Sequence, residues 1–133
     1  MSADLVWQIV KNNNAFLVKK NGVQFSSEPG NLKNLNSFKY SGIANNKSIT
    51  IGATEKGVSV SVSKAANKNL KATTVELKKG ARPSAVAVKN ILKAYRPDLS
   101  KDAAARVSAI LKSKKPVKAI KKREQKGARK VRA

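Results

Sequence analysis

The sequence predicts an α+β fold: a small antiparallel β-sheet of hairpins with an N-terminal helix, two C-terminal amphipathic helices and a basic extended tail. Three observations carry this reading. SITIGA (Ser48–Ala53) and GVSVSVS (Gly57–Ser63) alternate apolar with small polar residues at the period of a strand. Val88, Ile91, Leu92 and Tyr95 then recur at i, i+3, i+4 and i+7, the spacing of one helical face. From Lys112 to Ala133, eleven of 22 residues are Lys or Arg beside one acid, Glu124. Strands followed by a helical pair pack their helices on one face of a sheet. The expected division is 1–113 for the α+β domain and 114–133 for the tail.

Taken in order, Leu5, Val6, Ile9 and Val10 share a helical face within Asp4–Lys11. Ser2 and Asp4 are start signals, and Asn12–Asn14 is a stop. Leu5, Trp7 and Ile9 also alternate, so a strand is the rival reading, and the helix is favoured. Ala15–Lys20 and Val23–Ser27 flank Asn21-Gly22, a dipeptide that accepts the positive φ angles of a tight hairpin turn. SSEPGNLKNLNSFKYSG (Ser26–Gly42) follows and fits no regular element, and a loop this long is either functional or disordered. Leu32, Leu35 and Phe38 are expected to pin it to the body, with a shape made partly by a partner. In the Gly57–Ser63 strand Val58, Val60 and Val62 point one way and serines the other, which suits a sheet with one buried face. Lys64–Ala72 is a polar connection and Thr73–Lys79 a further strand. The next helix starts near Pro83 or Ser84, and Pro97 ends it by biasing Arg96 out of the helical region. A second begins near Ser100, with Asp102 at the favourable end of its dipole and Ala103, Val107, Ile110 and Leu111 on its inner stripe.

Charge narrows the function. Across 133 residues, 29 Lys and Arg oppose 7 Asp and Glu, a net +22. Like charges repel in a compact state, and a polyanion relieves the repulsion. Nucleic acid adds the gain from counterion release, so it is the leading partner, ahead of an anionic membrane. Removing 112–133 from the count leaves eighteen basic residues against six acids, an excess of +12, so the basic C-terminus is not the whole cause. With no cysteine and no histidine, the chain lacks a disulfide framework, a thiolate metal site and the commonest general base. No glycine pattern matches a nucleotide-binding loop, and no acid pair suggests catalysis or a metal cage. The reading is therefore not an enzyme, with no cofactor and no metal. No apolar run resembles a signal peptide or approaches a membrane span, so the chain reads as intracellular, with no membrane contact.

Phe38-Lys39-Tyr40 has two readings. Alternation makes it a buried–exposed–buried strand, the commoner case. It could instead set an aromatic under an unstacked base beside a phosphate contact. Packing is favoured for both aromatics and RNA contact for Lys39. A chromatin-associated or other nuclear nucleic-acid-binding protein is the alternative, since the lysine-rich KKP tail resembles those of linker histones.

Three strings take the reading further: MSADLVWQIVKNNNAFLVKKNG, SSEPGNLKNLNSFKYSG and YRPDLSKDAAARVSAILKSKKP, in this order. Together they resemble the eukaryote-specific ribosomal protein family twenty-eight of the large subunit. The similarity covers most of Met1–Pro116, rests on alternation alone over Ile43–Ala72, and in the tail is one of charge rather than letters. A related domain begins a nucleolar ribosome-assembly factor that is longer, cysteine-bearing and acid-rich downstream, features absent here. The resemblance implies a structural constituent of the cytosolic large (60S) subunit, a monomer within the ribosome. It would bind large-subunit rRNA and touch neighbouring ribosomal proteins, after transit through the nucleus and nucleolus. It implies RNA contact at Lys33, Asn36, Lys39, Arg96, Arg106, Lys112, Lys114 and Lys115. Charge alone extends this to Lys118, Lys121, Lys122, Arg123, Lys126, Arg129, Lys130 and Arg132.

A block of this composition cannot bury enough apolar surface to order itself, so the tail should be disordered when free and ordered on RNA. In an NMR spectrum of the free protein, amides of 114–133 are expected at random-coil shifts with fast solvent exchange. Dispersed, slowly exchanging amides there would contradict this.

Overall fold

The computed structural model describes residues 2–63, 73–117 and 119. The first helix, α1, spans Ala3–Val10. Ser2 caps it, its Oγ accepting the Leu5 N–H at 3.3 Å, and Asp4 lies in its first turn. At the other end Asn14 Nδ2 donates to the Val10 carbonyl at 3.0 Å, while Asn14 Oδ1 accepts from the Phe16 N–H at 2.8 Å. The helix reading is therefore correct, but its apolar face is not buried: Leu5 is 51% and Ile9 65% exposed. Its caps, the Asn36 amide bonded to the Lys11 carbonyl and one aromatic contact hold α1, the Trp7 and Phe38 rings lying 6.0 Å apart.

Strands β1 (Leu17–Lys20) and β2 (Val23–Ser26) form the expected hairpin, pairing Val18 with Phe25 and Lys20 with Val23. Asn21 and Gly22 take the positive φ angles, 50° and 75°, that the tight turn needs. Strands β3 (Ile49–Thr54), β4 (Gly57–Val62) and β5 (Thr73–Leu77) form a second antiparallel sheet in the order β3-β4-β5. The hairpins thus build two sheets rather than one. The outer edge of β2 is already taken by the long loop: Ser26 N–H donates to the Asn34 carbonyl at 2.9 Å and Asn36 N–H to the Gln24 carbonyl at 3.1 Å. The connection expected at Lys64–Ala72 lies outside the described residues.

Ile49, Ile51, Val58 and Val60 turn the buried face of the larger sheet toward two helices. Helix α2 spans Ala81–Tyr95, a 3-10 turn covers Pro97–Leu99, and α3 spans Ser100–Ser113. Helix α2 begins earlier than expected because Pro83 sits in its first turn, where a missing N–H breaks no bond. Buried Ser84 holds that entry, its Oγ donating to the Lys79 carbonyl at 2.9 Å. Val88 and Leu92 of α2, Leu99 of the turn, and Ala103 and Val107 of α3 complete the core, each all but fully buried. Burying a Val or Leu side chain contributes about 1.5–3 kcal/mol. Leu32 of the long loop joins the same cluster, whereas Leu35 is half-buried and Phe38 packs on Trp7.

The two arms of the loop cross at Gly42, where a Cβ would lie 2.2 Å from the Pro29 carbonyl oxygen. A Cβ at Gly22 meets nothing within 4 Å, so only its φ of +75° resists substitution. Gly22→Ala should therefore cost about 1 kcal/mol, and Gly42→Ala roughly 2–4 kcal/mol, since backbone must move. Urea denaturation of both variants checks the order.

Candidate nucleic-acid interface

Between β2 and β3 the chain runs from Ser27 to Ser48, and its frame is a buried polar cluster. Asn31 Nδ2 donates to Glu28 Oε1 at 2.9 Å and to the Leu35 carbonyl at 2.8 Å. Its Oδ1 accepts from the N–H groups of Lys33 and Leu35, at 3.2 and 3.3 Å. The second oxygen of Glu28 accepts from Ser41 Oγ at 3.1 Å, which joins the two arms of the loop. A buried carboxylate is tolerated only with such partners.

Two arginines fix this frame to the helices. Arg106 of α3 directs Nη1 at the Leu32 carbonyl, 2.8 Å, and at Asn34 Oδ1, 3.2 Å. Arg96, just after α2, donates from Nη2 to the Lys39 carbonyl at 3.0 Å and from Nη1 to the Lys47 carbonyl at 3.1 Å. Its Nε and Nη2 also grip both oxygens of Asp98, at 3.2 and 2.7 Å. That hydrogen bonding holds the Asp98 carboxyl below its ordinary range, against a smaller push upward from burial. Asp102 of α3 accepts from the Tyr40 hydroxyl at 2.8 Å and pairs with Lys33 at 3.3 Å. Burial pushes the Asp102 carboxyl up, but Tyr40, Lys33 and the more distant Lys39 together hold it below the usual value. Lys33 and Lys39 flank the Tyr40 ring at 5.3 and 5.4 Å from its centroid. The loop is thus held by contacts within the chain.

These contacts sort the residues expected to touch RNA. Lys33 and Lys39 remain exposed beside Tyr40, and Lys112 and Lys115 are exposed on and after α3. Arg96 and Arg106 hold the loop. Asn36 joins elements, its Nδ2 donating at 2.9 Å to both the Lys11 carbonyl and Gln24 Oε1. Lys114 reaches back to the β3–β4 turn, where Nζ donates to the carbonyls of Thr54 and, at 2.7 Å, Gly57. Lys118, Lys121, Lys122, Arg123, Lys126, Arg129, Lys130 and Arg132 lie outside the described residues.

Sequence reasoning passed over an acid-free basic stripe. Arg82, Val86, Lys89 and Lys93 are exposed along α2, and Lys101, Ala105, Ser108 and Lys112 along α3. Both sets recur at i, i+4, i+7 and i+11, so each forms one outward row. The sequence leaves Lys101, Arg106 and Lys112 outside or at the margin of the α3 stripe, and of these Lys101 and Lys112 are exposed while Arg106 is half-buried. The matching row on α2 lies in the spacing of its cations alone. Glu28 and Asn31 were missed because no periodicity marks a polar cluster. Among the described residues, no group of three or more His, Cys, Asp or Glu could hold a metal ion.

The sequence model of the Ribosomal L28e protein family matches residues 5–113. The large ribosomal subunit protein eL28 of Dictyostelium discoideum is 43% identical over 114 residues, covering 83% of this chain and 86% of that protein. The protein of the same name from Schizosaccharomyces pombe is 34% identical over 131 residues, 90% of this chain and 98% of that one.

Asp98 and Asp102 both titrate below their unfolded values, so the stability they contribute is complete above about pH 4 and is lost as pH falls through the folded values. The denaturation midpoint should hold from pH 7 to 5 and drop below about pH 4, less steeply in Asp102→Asn. At pH 7 Asp102→Asn should cost roughly 1.5–3 kcal/mol, the range for hydrogen bonds to a charged group.

Proposed function

The chain belongs to the ribosomal L28e protein family, and on that premise we propose that it is a structural constituent of the large ribosomal subunit that binds large-subunit rRNA. The observation that carries the RNA contact is the separation of charge. Glu28, Asp98 and Asp102 are consumed by partners inside the chain, as described above. Glu55 and Glu76 sit together at the β3–β4 turn and β5, around a shallow cleft shared with Lys56 and Lys78. The outer rows of α2 and α3 are left with Arg82, Lys89, Lys93, Lys101 and Lys112. Cations in that state repel one another, and each phosphate they meet releases condensed counterions.

Lys33 and Lys39 extend this surface, and the nine basic residues of 115–133 supply a second, sequence-independent anchor. Binding is to phosphates rather than to base edges, so it positions the protein instead of reading a sequence. The protein acts as a single copy among neighbouring ribosomal proteins, in the cytoplasm, after passage through the nucleus and nucleolus. It is not an enzyme, in keeping with its family.

Charge reversal at Lys89 and Lys93 should leave the urea midpoint within about 0.5 kcal/mol of the parent, as for surface substitutions, and lower co-sedimentation with large subunits in high salt. Removing 114–133 should lower it further, and should reduce the slope of log affinity against log salt by roughly 4 or more. Wild-type co-sedimentation by both variants would refute the assignment of RNA contact to these residues.

A further inference from the structure

We propose that the open face of the β1–β2 hairpin is a platform on which unpaired RNA bases stack, an inference that rests on the RNA-binding reading above. The hairpin register decides which side chains share that face. Ser27 N–H donates to the Phe16 carbonyl at 2.9 Å, extending the ladder one pair beyond Leu17 and Ser26. Alternation then puts Phe16, Val18 and Lys20 of one strand beside Val23 and Phe25 of the other. Leu35, bridged to Phe25, adds to the same side from the loop. Phe16 is 38% exposed, Val18 49%, Val23 44% and Phe25 41%. On the reverse face Ser26 is buried and Gln24 is bonded to Asn36.

One face is anchored, therefore, and the other is apolar and uncovered. The uncovered face is also rigid. Its turn is fixed by two positive φ angles, one edge is closed by residues 34–36, and the Asn36 amide ties it to the end of α1. Charge selects the occupant. Lys20 is the one charged residue that the register puts on this face, and from Leu5 to Ser27 the chain carries no acid. Phenylalanines beside a lysine and away from any acid fit a partner with flat π faces joined by anionic links, which describes unpaired nucleotides. A duplex does not fit, because its base faces are already stacked on one another. Phe25 and Phe16 would each take a base, and Lys20, one row nearer the turn than Phe25, the phosphate that follows on that side.

The full-length protein is titrated with a fluorescein-labelled 12-nucleotide single-stranded RNA and with the same strand annealed to its complement. Phe25→Ala should weaken single-strand binding about five-fold or more, the factor expected for one lost base–aromatic stack, and leave duplex binding unchanged. Phe25→Trp should keep both affinities, and far-UV circular dichroism confirms that each variant folds. Equal single-strand affinity in wild type and Phe25→Ala overturns the platform alone. Failure of the wild type to bind either RNA overturns the underlying RNA reading as well. In assembled large subunits, a photo-crosslinking phenylalanine at position 25 should yield rRNA adducts, and adducts with protein only would overturn the proposal.

Discussion

The backbone from Ser27 to Ser48 forms no named strand or helix, and its few main-chain bonds leave side chains to satisfy much of the rest. Asn31 is where that requirement is met, using both donors and its acceptor oxygen on Glu28, Leu35 and Lys33. Everything else in the loop is placed by reference to it. Glu28 carries the link across to Ser41, the crossing at Gly42 leaves no room for a side chain, and Leu32 is delivered into the core. Because the cluster lies in a medium of low dielectric, its bonds are strong and its unpaired alternatives expensive. The loop is consequently as much a part of the body as the strands are.

The same economy explains the charge. A protein with this excess of lysine and arginine can use its few acids only sparingly. Asp98 and Asp102 are placed where they orient Arg96, Tyr40 and Lys33 rather than where they would neutralise an outer surface. The arginines follow a division of labour that their chemistry favours. The planar guanidinium forks of Arg96 and Arg106 hold carbonyls and a carboxylate, while the outer rows, Arg82 apart, are filled by compact lysine ammonium groups.

Much of the fold could be read in the residues. Val58, Val60 and the stripe through Val88 and Leu92 announced their elements because burial imposes a period on sequence. Asn21-Gly22 announced its turn because few residues accept its φ angles. What escaped is what has no period. The Glu28–Asn31–Ser41 cluster is assembled from separated positions, and the separation of the two sheets depends on residues 34–36 occupying the edge of β2. The roles of Arg96 and Arg106 were also hidden, since a basic residue that grips backbone carbonyls and one that meets a phosphate look alike in a sequence. The α1 stripe misled in the opposite direction, with a helical period that no core enforces.

Lys114 follows the last residue of α3, yet its amine is hooked onto the carbonyls of Thr54 and Gly57 at the far turn of the sheet. That hook ties the C-terminal end of α3 to the sheet, while Asp102 in its first turn is bonded to Tyr40 of the loop, so the helix is held to the body at both of its ends. A helix fastened at two points cannot fray from its last turn without first releasing a bond to another element, and its outer row of side chains keeps one orientation relative to the sheet.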